Sequence, residues 1–155
     1  MKLNTKHFGE IDVEENNILD FEDGLPGFPD DRQFVLLENE DPFCWLQSVT
    51  DGDNAFILVD AFKVLPDYNP QVDKDELESL GTYEPSDFLV LNIVVLPDDV
   101  KDMTVNLLAP VIINTAGKKG RQVVLKNEEY GVRHYMFRQR REPAAEAVGP
   151  GGSSC

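Results

Sequence analysis

The most apolar part of the chain reads FLVLNIVVL over residues 88–96 and, after the polar break Pro97-Asp98-Asp99, MTVNLLAPVII over residues 103–113. Both segments are rich in valine, isoleucine and leucine, which favour strands, whereas proline and aspartate favour turns. The spacing predicts two antiparallel strands joined by a short loop. Apolar residues fall on both faces of the first strand, so the strands are predicted to lie in a barrel or in a sheet covered on both sides.

Two asparagines interrupt these apolar strands. A hairpin centred near Asp99 would place Asn92 and Asn106 opposite each other. Buried amides need hydrogen-bond partners, so we expect the pair to bond each other or nearby backbone; a ligand site is the alternative.

Shorter strands and turns surround the central hairpin. Apolar runs and turn residues predict strands at residues 2–8, 9–13, 18–21, 33–37, 43–49, 54–60 and 121–125, with a last extended segment at 130–134. Pro66 and Pro70 are expected to block any helix between residues 61 and 70. The one predicted helix covers residues 73–80, where acidic residues open the first turn and Gly81 closes the last.

The charge of the chain is strongly acidic and unevenly distributed. Residues 1–100 hold 24 aspartates and glutamates against 5 lysines and arginines, and residues 101–155 hold 5 against 9. A negative field of this kind repels nucleic-acid phosphates and anionic lipid, and it favours basic protein partners or solubility alone. The densest acidic group on a regular element is the helix face with Asp73, Asp75, Glu76 and Glu78.

The sequence lacks long apolar segments and cysteine motifs, and this predicts the compartment and the covalent chemistry of the protein. No apolar stretch reaches the length of a membrane span, and the start of the chain lacks the apolar run of a signal peptide, so we expect a cytoplasmic protein without a membrane partner. Cys44 and Cys155 lie far apart and outside any CxxC motif, so neither a disulfide framework nor a zinc site is expected.

The motifs of common enzymes and cofactor sites are missing. The sequence has no GxxxxGK[ST] loop, no GxGxxG, no GxSxG elbow and no HExxH, so we predict no catalysis, no cofactor and no metal. An enzyme would need a pocket that brings His7 or His134 to Cys44 or to a carboxylate. Lys118, Lys119, Arg121 and the run from Arg138 to Arg141 form only a modest basic patch, so direct nucleic-acid binding is not expected either.

Two aromatic residues are further candidates for protein contact. Phe28 lies in a loop with two glycines and two prolines between residues 22 and 31, and Trp45 lies next to an acidic turn. Loops on rigid scaffolds often bind, and tryptophan can anchor interfaces. A single tryptophan is nevertheless more often a core residue, and Phe28 is expected to pin its loop onto the barrel.

Several motifs together resemble the FliW family of flagellar assembly factors. They are residues 18–21 (ILDF), 24–28 (GLPGF), 43–48 (FCWLQS), 91–94 (LNIV), 103–111 (MTVNLLAPV), 122–125 (QVVL) and 133–134 (RH). The resemblance implies an all-β, single-domain antiparallel pseudo-barrel over residues 1–136, with one short helix near residues 73–80. The basic and then Gly/Ser-rich segment 137–155 departs from the family and is expected to be a disordered tail.

The resemblance also implies partners. Family members bind CsrA, a small basic RNA-binding regulator, so that it no longer represses flagellin translation, and they bind flagellin in a partner-switching loop. On this chain the carboxylates of residues 73–78 would either mimic RNA phosphates or bind CsrA elsewhere and bias it. Asp98, Asp99 and Asp102 are an alternative acidic contact, and Phe28 and Trp45 could serve flagellin. A flagellin chaperone without CsrA antagonism, or an acidic interaction module with other partners, stays open.

Overall fold

The structure is a computed structural model that describes residues 1–137. The predicted disordered tail therefore lies outside the described residues, apart from Phe137. Eleven strands are present in the described part. They are β1 Lys2–Thr5, β2 Gly9–Asp12, β3 Leu19–Asp20, β4 Gln33–Glu38, β5 Phe43–Ser48, β6 Ala55–Val59, β7 Phe88–Val95, β8 Thr104–Val105, β9 Val111–Asn114, β10 Lys119–Gln122 and β11 His134–Tyr135.

Seven of these strands form a closed barrel. The order is β7-β6-β5-β4-β3-β10-β9, and β9 pairs back onto β7. Strands β8 and β11 continue from the other half of β7, while β1 and β2 form a separate hairpin. The pairings are antiparallel except between β3 and β10, where Asp20 and Lys119 pair in parallel. The predicted all-β barrel is thus confirmed, with this one parallel contact added.

The second arm of the central hairpin is divided. Strand β8 pairs with the end of β7, as Val94 opposite Val105, and β9 pairs with its beginning, as Leu91 opposite Val111. The residues between β8 and β9 leave the ladder, because the side chain of Asn106 accepts a hydrogen bond from Ala109 N at 3.0 Å and closes a turn.

The predicted pairing of the two asparagines is wrong by one residue. The backbone N–H of Asn106 donates to Ile93 O at 2.9 Å, so Asn106 lies opposite Ile93. Asn92 is fully buried, and its amide donates instead to Asn106 O at 2.8 Å and to the Tyr68 hydroxyl at 3.1 Å. The expectation that nearby groups satisfy the buried amide holds for this nitrogen, without the side-chain pair.

The barrel interior is apolar and rich in aromatic rings. Its buried members are Leu19, Phe21, Leu25, Phe34, Leu46, Leu58, Leu91, Val111 and Ile113. The rings of Phe21 and Phe34 meet edge to face, with centroids 5.3 Å apart. A Cβ on Gly120 would lie 2.5 Å from the Phe21 ring, so only glycine allows β10 to approach this closely.

Short elements cover the outside of the barrel. Helix α1, Ala61–Val64, and the segment after it bring Tyr68 onto the outer face of β6 and β7, beside Val59 and Val94. This helix was not expected. Asp60 caps it by accepting from Phe62 N at 3.1 Å, and it ends before the prolines that were expected to block it.

The predicted helix at residues 73–80 is confirmed as α2, Lys74–Glu78. Leu77 and Leu80 pack with Ile112 and Val123 against the outer face of β9. Gly81 follows with φ of +94°, a left-handed conformation that suits glycine at a helix end.

The strand that was predicted at residues 121–125 is observed as β10, Lys119–Gln122, so it begins and ends earlier than predicted.

Candidate functional site

The acidic face of α2 is partly neutralised. Asp73 lies 3.1 Å from Lys126 Nζ, Glu78 lies 3.8 Å from Lys74 Nζ, and Glu76 lies 3.5 Å from Arg121 Nη1. Asp75 is exposed on the same helix. Three of the four predicted carboxylates thus have a cation within 4 Å, which weakens the field that this face presents to a basic partner.

Arg121 connects the helix to the Gly/Pro loop. Its Nη1 donates to Ser79 Oγ at 2.9 Å, and its Nη2 lies 3.6 Å from the Asp23 carboxylate. The sequence placed Arg121 in a basic patch, and its place on β10 between α2 and the loop could not be read from spacing. The guanidinium joins two surface elements, because it can donate in several directions at once.

The turn between β7 and β8 carries the other predicted carboxylates. Asp98 and Asp99 are exposed, and Asp99 accepts from Lys101 N at 3.0 Å at the start of a 3-10 helix, Val100–Asp102. Asp102 is half-buried. No ion pair involves Asp98 or Asp99 within residues 1–137. Large apolar side chains stand exposed beside them, at 61% for Val95, 48% for Leu96 and 55% for Val100.

Phe28 ends a tight turn at one end of the barrel. Its N–H donates to Leu25 O at 2.8 Å, so that Leu25 points into the core while Phe28 stays 43% exposed over Phe56, with ring centroids 5.8 Å apart. Gly24 has φ of +66°, and a Cβ there would lie 2.4 Å from Phe28 O. The loop shape therefore depends on glycine at residue 24.

Asp31 fastens this loop to the barrel. Its Oδ1 accepts from Ser48 Oγ at 2.7 Å and Thr50 Oγ1 at 2.9 Å, and its Oδ2 accepts from Asn54 Nδ2 at 2.7 Å. Sequence reasoning missed this role, since an aspartate after a proline is typical of any turn.

Trp45 is half-buried beneath the β1–β2 hairpin. Its ring centroid lies 4.9 Å from that of His7 and 5.3 Å from that of Phe8. The structure therefore places Trp45 on the outer face of β5, as the support of a small sheet. The predicted contact residues consequently lie on four separate parts of the fold: α2, the β7–β8 turn, the Phe28 loop and the Trp45 cluster.

The structure does not place Cys44 beside His7 or His134. Cys44 packs with the barrel interior, whereas its neighbour Trp45 faces outward with His7. Burial, and then the nearby Asp60 carboxylate, raise the pKa of the Cys44 thiol to about 11, so it stays protonated at neutral pH. His134 lies on β11, where burial lowers its pKa.

A buried polar network joins α1 to the central hairpin. The Tyr68 hydroxyl donates to Leu107 O at 2.6 Å and accepts from Asn92, and burial raises the pKa of Tyr68 to about 12 despite the Asn92 hydrogen bond. The Tyr68 and Tyr130 rings meet with centroids 4.8 Å apart. The network shapes the fold on this side, and sequence spacing alone could not show that Tyr68 reaches Asn92.

Metal-binding and membrane features can be stated for residues 1–137 only. Within them, no group of three or more His, Cys, Asp and Glu side chains could hold a metal ion. No helix in this part is long and apolar enough to cross a membrane.

Comparison with known proteins shows which family the fold and sequence share. The model of the FliW protein family matches residues 2–136. The chain is 44% identical over 142 residues to flagellar assembly factor FliW of Alkaliphilus metalliredigens, covering 90% of this chain and 88% of that protein. It is 43% identical over 136 residues to that of Caldicellulosiruptor saccharolyticus, covering 87% and 90%.

A solved structure agrees with these relatives. A crystal structure of the flagellar assembly factor FliW matches with a TM-score of 0.84 and 38% identity, over 91% of this chain and all of the other. Sequence and fold thus point to the same assignment across residues 2–136. The chain belongs to the FliW family of flagellar assembly factors.

Proposed function

We propose that this flagellar assembly factor acts by binding two proteins in turn. One is a CsrA-type translational regulator, which would be held away from the flagellin message, and the other is flagellin, which would compete for the factor. Binding without catalysis is part of the proposal, as is a cytoplasmic location, because CsrA-type regulators act on messenger RNA.

The observation that carries the proposal is the acidic surface. None of the 24 carboxylates in residues 1–100 is buried, and only 5 lysines and arginines accompany them in that part of the chain. Such a surface attracts a basic RNA-binding protein and speeds its association. The family assignment supplies the flagellar context.

The distribution of carboxylates favours contact outside the RNA site of the regulator. Phosphate mimicry would need a row of free negative charges, whereas three carboxylates of α2 already lie beside cations. We therefore propose that the factor binds elsewhere on the regulator and changes its RNA affinity by charge repulsion or by a conformational shift.

A calorimetric titration of the full chain with purified CsrA tests the first step. We expect saturable binding at moderate salt, weakened as salt rises, because exposed charges are screened. When the titration is repeated with flagellin already bound to the chain, the heat of CsrA binding should decrease. Absence of any CsrA binding by folded protein would contradict the proposal, and flagellin binding alone would favour a dedicated chaperone.

A competition experiment tests the mode of inhibition. CsrA is first bound to a labelled flagellin leader RNA, and the factor is then added while RNA release is followed. Binding outside the RNA site predicts a transient ternary complex and an RNA dissociation rate that increases with factor concentration. Release that never exceeds the spontaneous dissociation rate would support mimicry instead.

A further inference from the structure

We propose that the basic partner docks on the tip of the β7–β8 hairpin, through exposed aliphatic side chains flanked by carboxylates, and not on α2. We call this surface the hairpin tip and define it by Val95, Leu96, Asp98, Asp99 and Val100. The inference rests on the proposed function, since it assigns the surface that the partner would use.

The hairpin tip is the most exposed apolar part of the central hairpin. Val95, Leu96 and Val100 retain 61%, 48% and 55% of their exposure within six consecutive positions. Two further large apolar side chains, Tyr135 at 39% and Phe137 at 41%, belong to β11 and the residues after it. Clustered exposed apolar side chains of this kind mark interaction sites more often than scattered ones.

Strand pairing places two of these side chains, Val95 and Tyr135, on one face. Val95 and Tyr135 both lie opposite Thr104, on either side of β8. Directly paired residues point to the same face of a sheet, so Val95 and Tyr135 flank the buried Thr104 about 10 Å apart. Exposed apolar side chains therefore lie at the turn, on the end of β7 and on β11, with the buried β8 between these two strands.

The charges at the tip differ from those on α2. Within residues 1–137, Asp98 and Asp99 take part in no ion pair, whereas Lys126, Arg121 and Lys74 lie beside three carboxylates of α2. A partner that approaches α2 must compete with those internal cations. At the tip, Asp99 accepts a hydrogen bond from Lys101 N, but neither carboxylate has to be released from an ion pair within residues 1–137.

These features together select one class of occupant. Aliphatic side chains beside two carboxylates complement a protein surface that presents aliphatic side chains beside lysine or arginine. A nucleic acid does not fit, since its phosphates would face Asp98 and Asp99. The CsrA-type regulator of the proposed function is the probe for this class.

Matched variants of the full chain test the assignment by calorimetry with CsrA. The apolar tip variant combines Leu96→Ser and Val100→Ser, and the charge variant combines Asp98→Asn and Asp99→Asn, which keeps a capping side chain at residue 99. The controls are Val124→Ser, an equally apolar residue that is 70% exposed elsewhere, and Asp75→Asn with Glu78→Gln on α2.

We expect the apolar tip variant to bind CsrA about tenfold or more weakly, as for the loss of central interface contacts. The charge variant should lose a few-fold in affinity, mainly at low salt, while both controls stay within about twofold of the parent. Unchanged melting temperatures would show that the exposed substitutions leave the fold intact.

Three results would overturn the assignment while the proposed function survives. The first is a parent chain that binds CsrA while both tip variants bind equally well. The second is a tenfold loss confined to the α2 control. In the third, sedimentation shows that the tip variants change only self-association, so that the tip contacts a second copy. If the parent itself does not bind CsrA, the proposed function fails first.

Discussion

Strand β9 and the hairpin tip come from the two apolar segments of the predicted central hairpin, yet their surroundings are opposite. All four residues of β9 are buried, because Val111 and Ile113 face the barrel interior while Ile112 and Asn114 contact the α2 region outside it. Val95, Leu96 and Val100 lie where the ladder ends and are 48% to 61% exposed. Similar side chains therefore hold the barrel closed in one place and remain open to contact in the other.

The difference shows what decides whether an apolar residue is buried or exposed in this fold. Val95, Leu96 and Val100 are aliphatic like the first three residues of β9, so for these side chains the decisive factor is whether a partner strand and a covering element exist. The turn from Asn106 to Pro110 separates the two, because it moves the chain from the edge next to β8 to the barrel wall.

The largest predicted effect is on the barrel side of this comparison. Ile113 is fully buried, so Ile113→Ala should lower the free energy of unfolding by about 2–5 kcal/mol. Urea denaturation followed by fluorescence measures the change. Val95→Ala is the matched control and should stay within about 0.5 kcal/mol, because Val95 is largely exposed. Equal losses in the two variants would break the comparison.

The junction between the two regions should be the next most sensitive. Asn92→Ala removes the donor to Asn106 O and to the Tyr68 hydroxyl, and leaves that carbonyl without its bond, at a loss of about 1–3 kcal/mol. Hydrogen exchange of the Asn106 amide should accelerate more than exchange in β9. Uniform acceleration across the barrel would show that the junction does not separate the regions.

Tyr68→Phe should cost less, about 1 kcal/mol, through the lost bond to Leu107 O. The substitution should also change how the stability of the protein depends on pH in the alkaline range. The Tyr68 pKa is raised from its ordinary 10 to about 12 in the folded chain, so its neutral form contributes stability below pH 10 that is lost as pH rises toward 12. The parent should therefore lose stability faster than the variant over pH 10–12, and parallel curves would contradict this.

The smallest predicted effect concerns β11, which borders the hairpin tip. Burial lowers the pKa of His134 in the folded chain, so its neutral form contributes stability above the unfolded pKa of 6.5 that is lost as pH falls below it. The melting temperature of the parent should fall more between pH 7 and pH 5 than that of His134→Gln, in thermal scans at several pH values. Identical slopes would show that β11 does not respond to this charge.

Most of the fold could be predicted from the sequence, because alternation, turn residues and proline placement act locally. The positions along the chain of the strands up to β7, of the central hairpin and of α2 follow from such patterns. The break at Asn106 could not be predicted, since it depends on which edge of β7 is free. Helix α1 was not predicted, because it forms a single turn between its N-cap, Asp60, and Pro66.

The acidic composition of the candidate surfaces could be predicted from the sequence, but their ion pairs and their exposure could not. Acidic density on α2 and at the tip is visible in the sequence, whereas two of the three cations beside the α2 carboxylates come from residues 121 and 126, far along the chain. Val95 and Leu96 were predicted as parts of a covered strand, and only the end of the ladder leaves them exposed.

The single parallel contact between β3 and β10 has a consequence for synthesis. Asp20 and Lys119 are joined across almost the whole barrel sequence, while the pairs from β3 to β7 are neighbours along the chain. As the chain leaves the ribosome, the sheet from β3 to β7 can form early, but the beginning of β7 stays unpaired until β9 emerges, and β3 stays unpaired until β10 emerges. Until then the growing sheet carries open edges that invite pairing with other chains, so rapid completion of the last barrel strands protects the protein from aggregation.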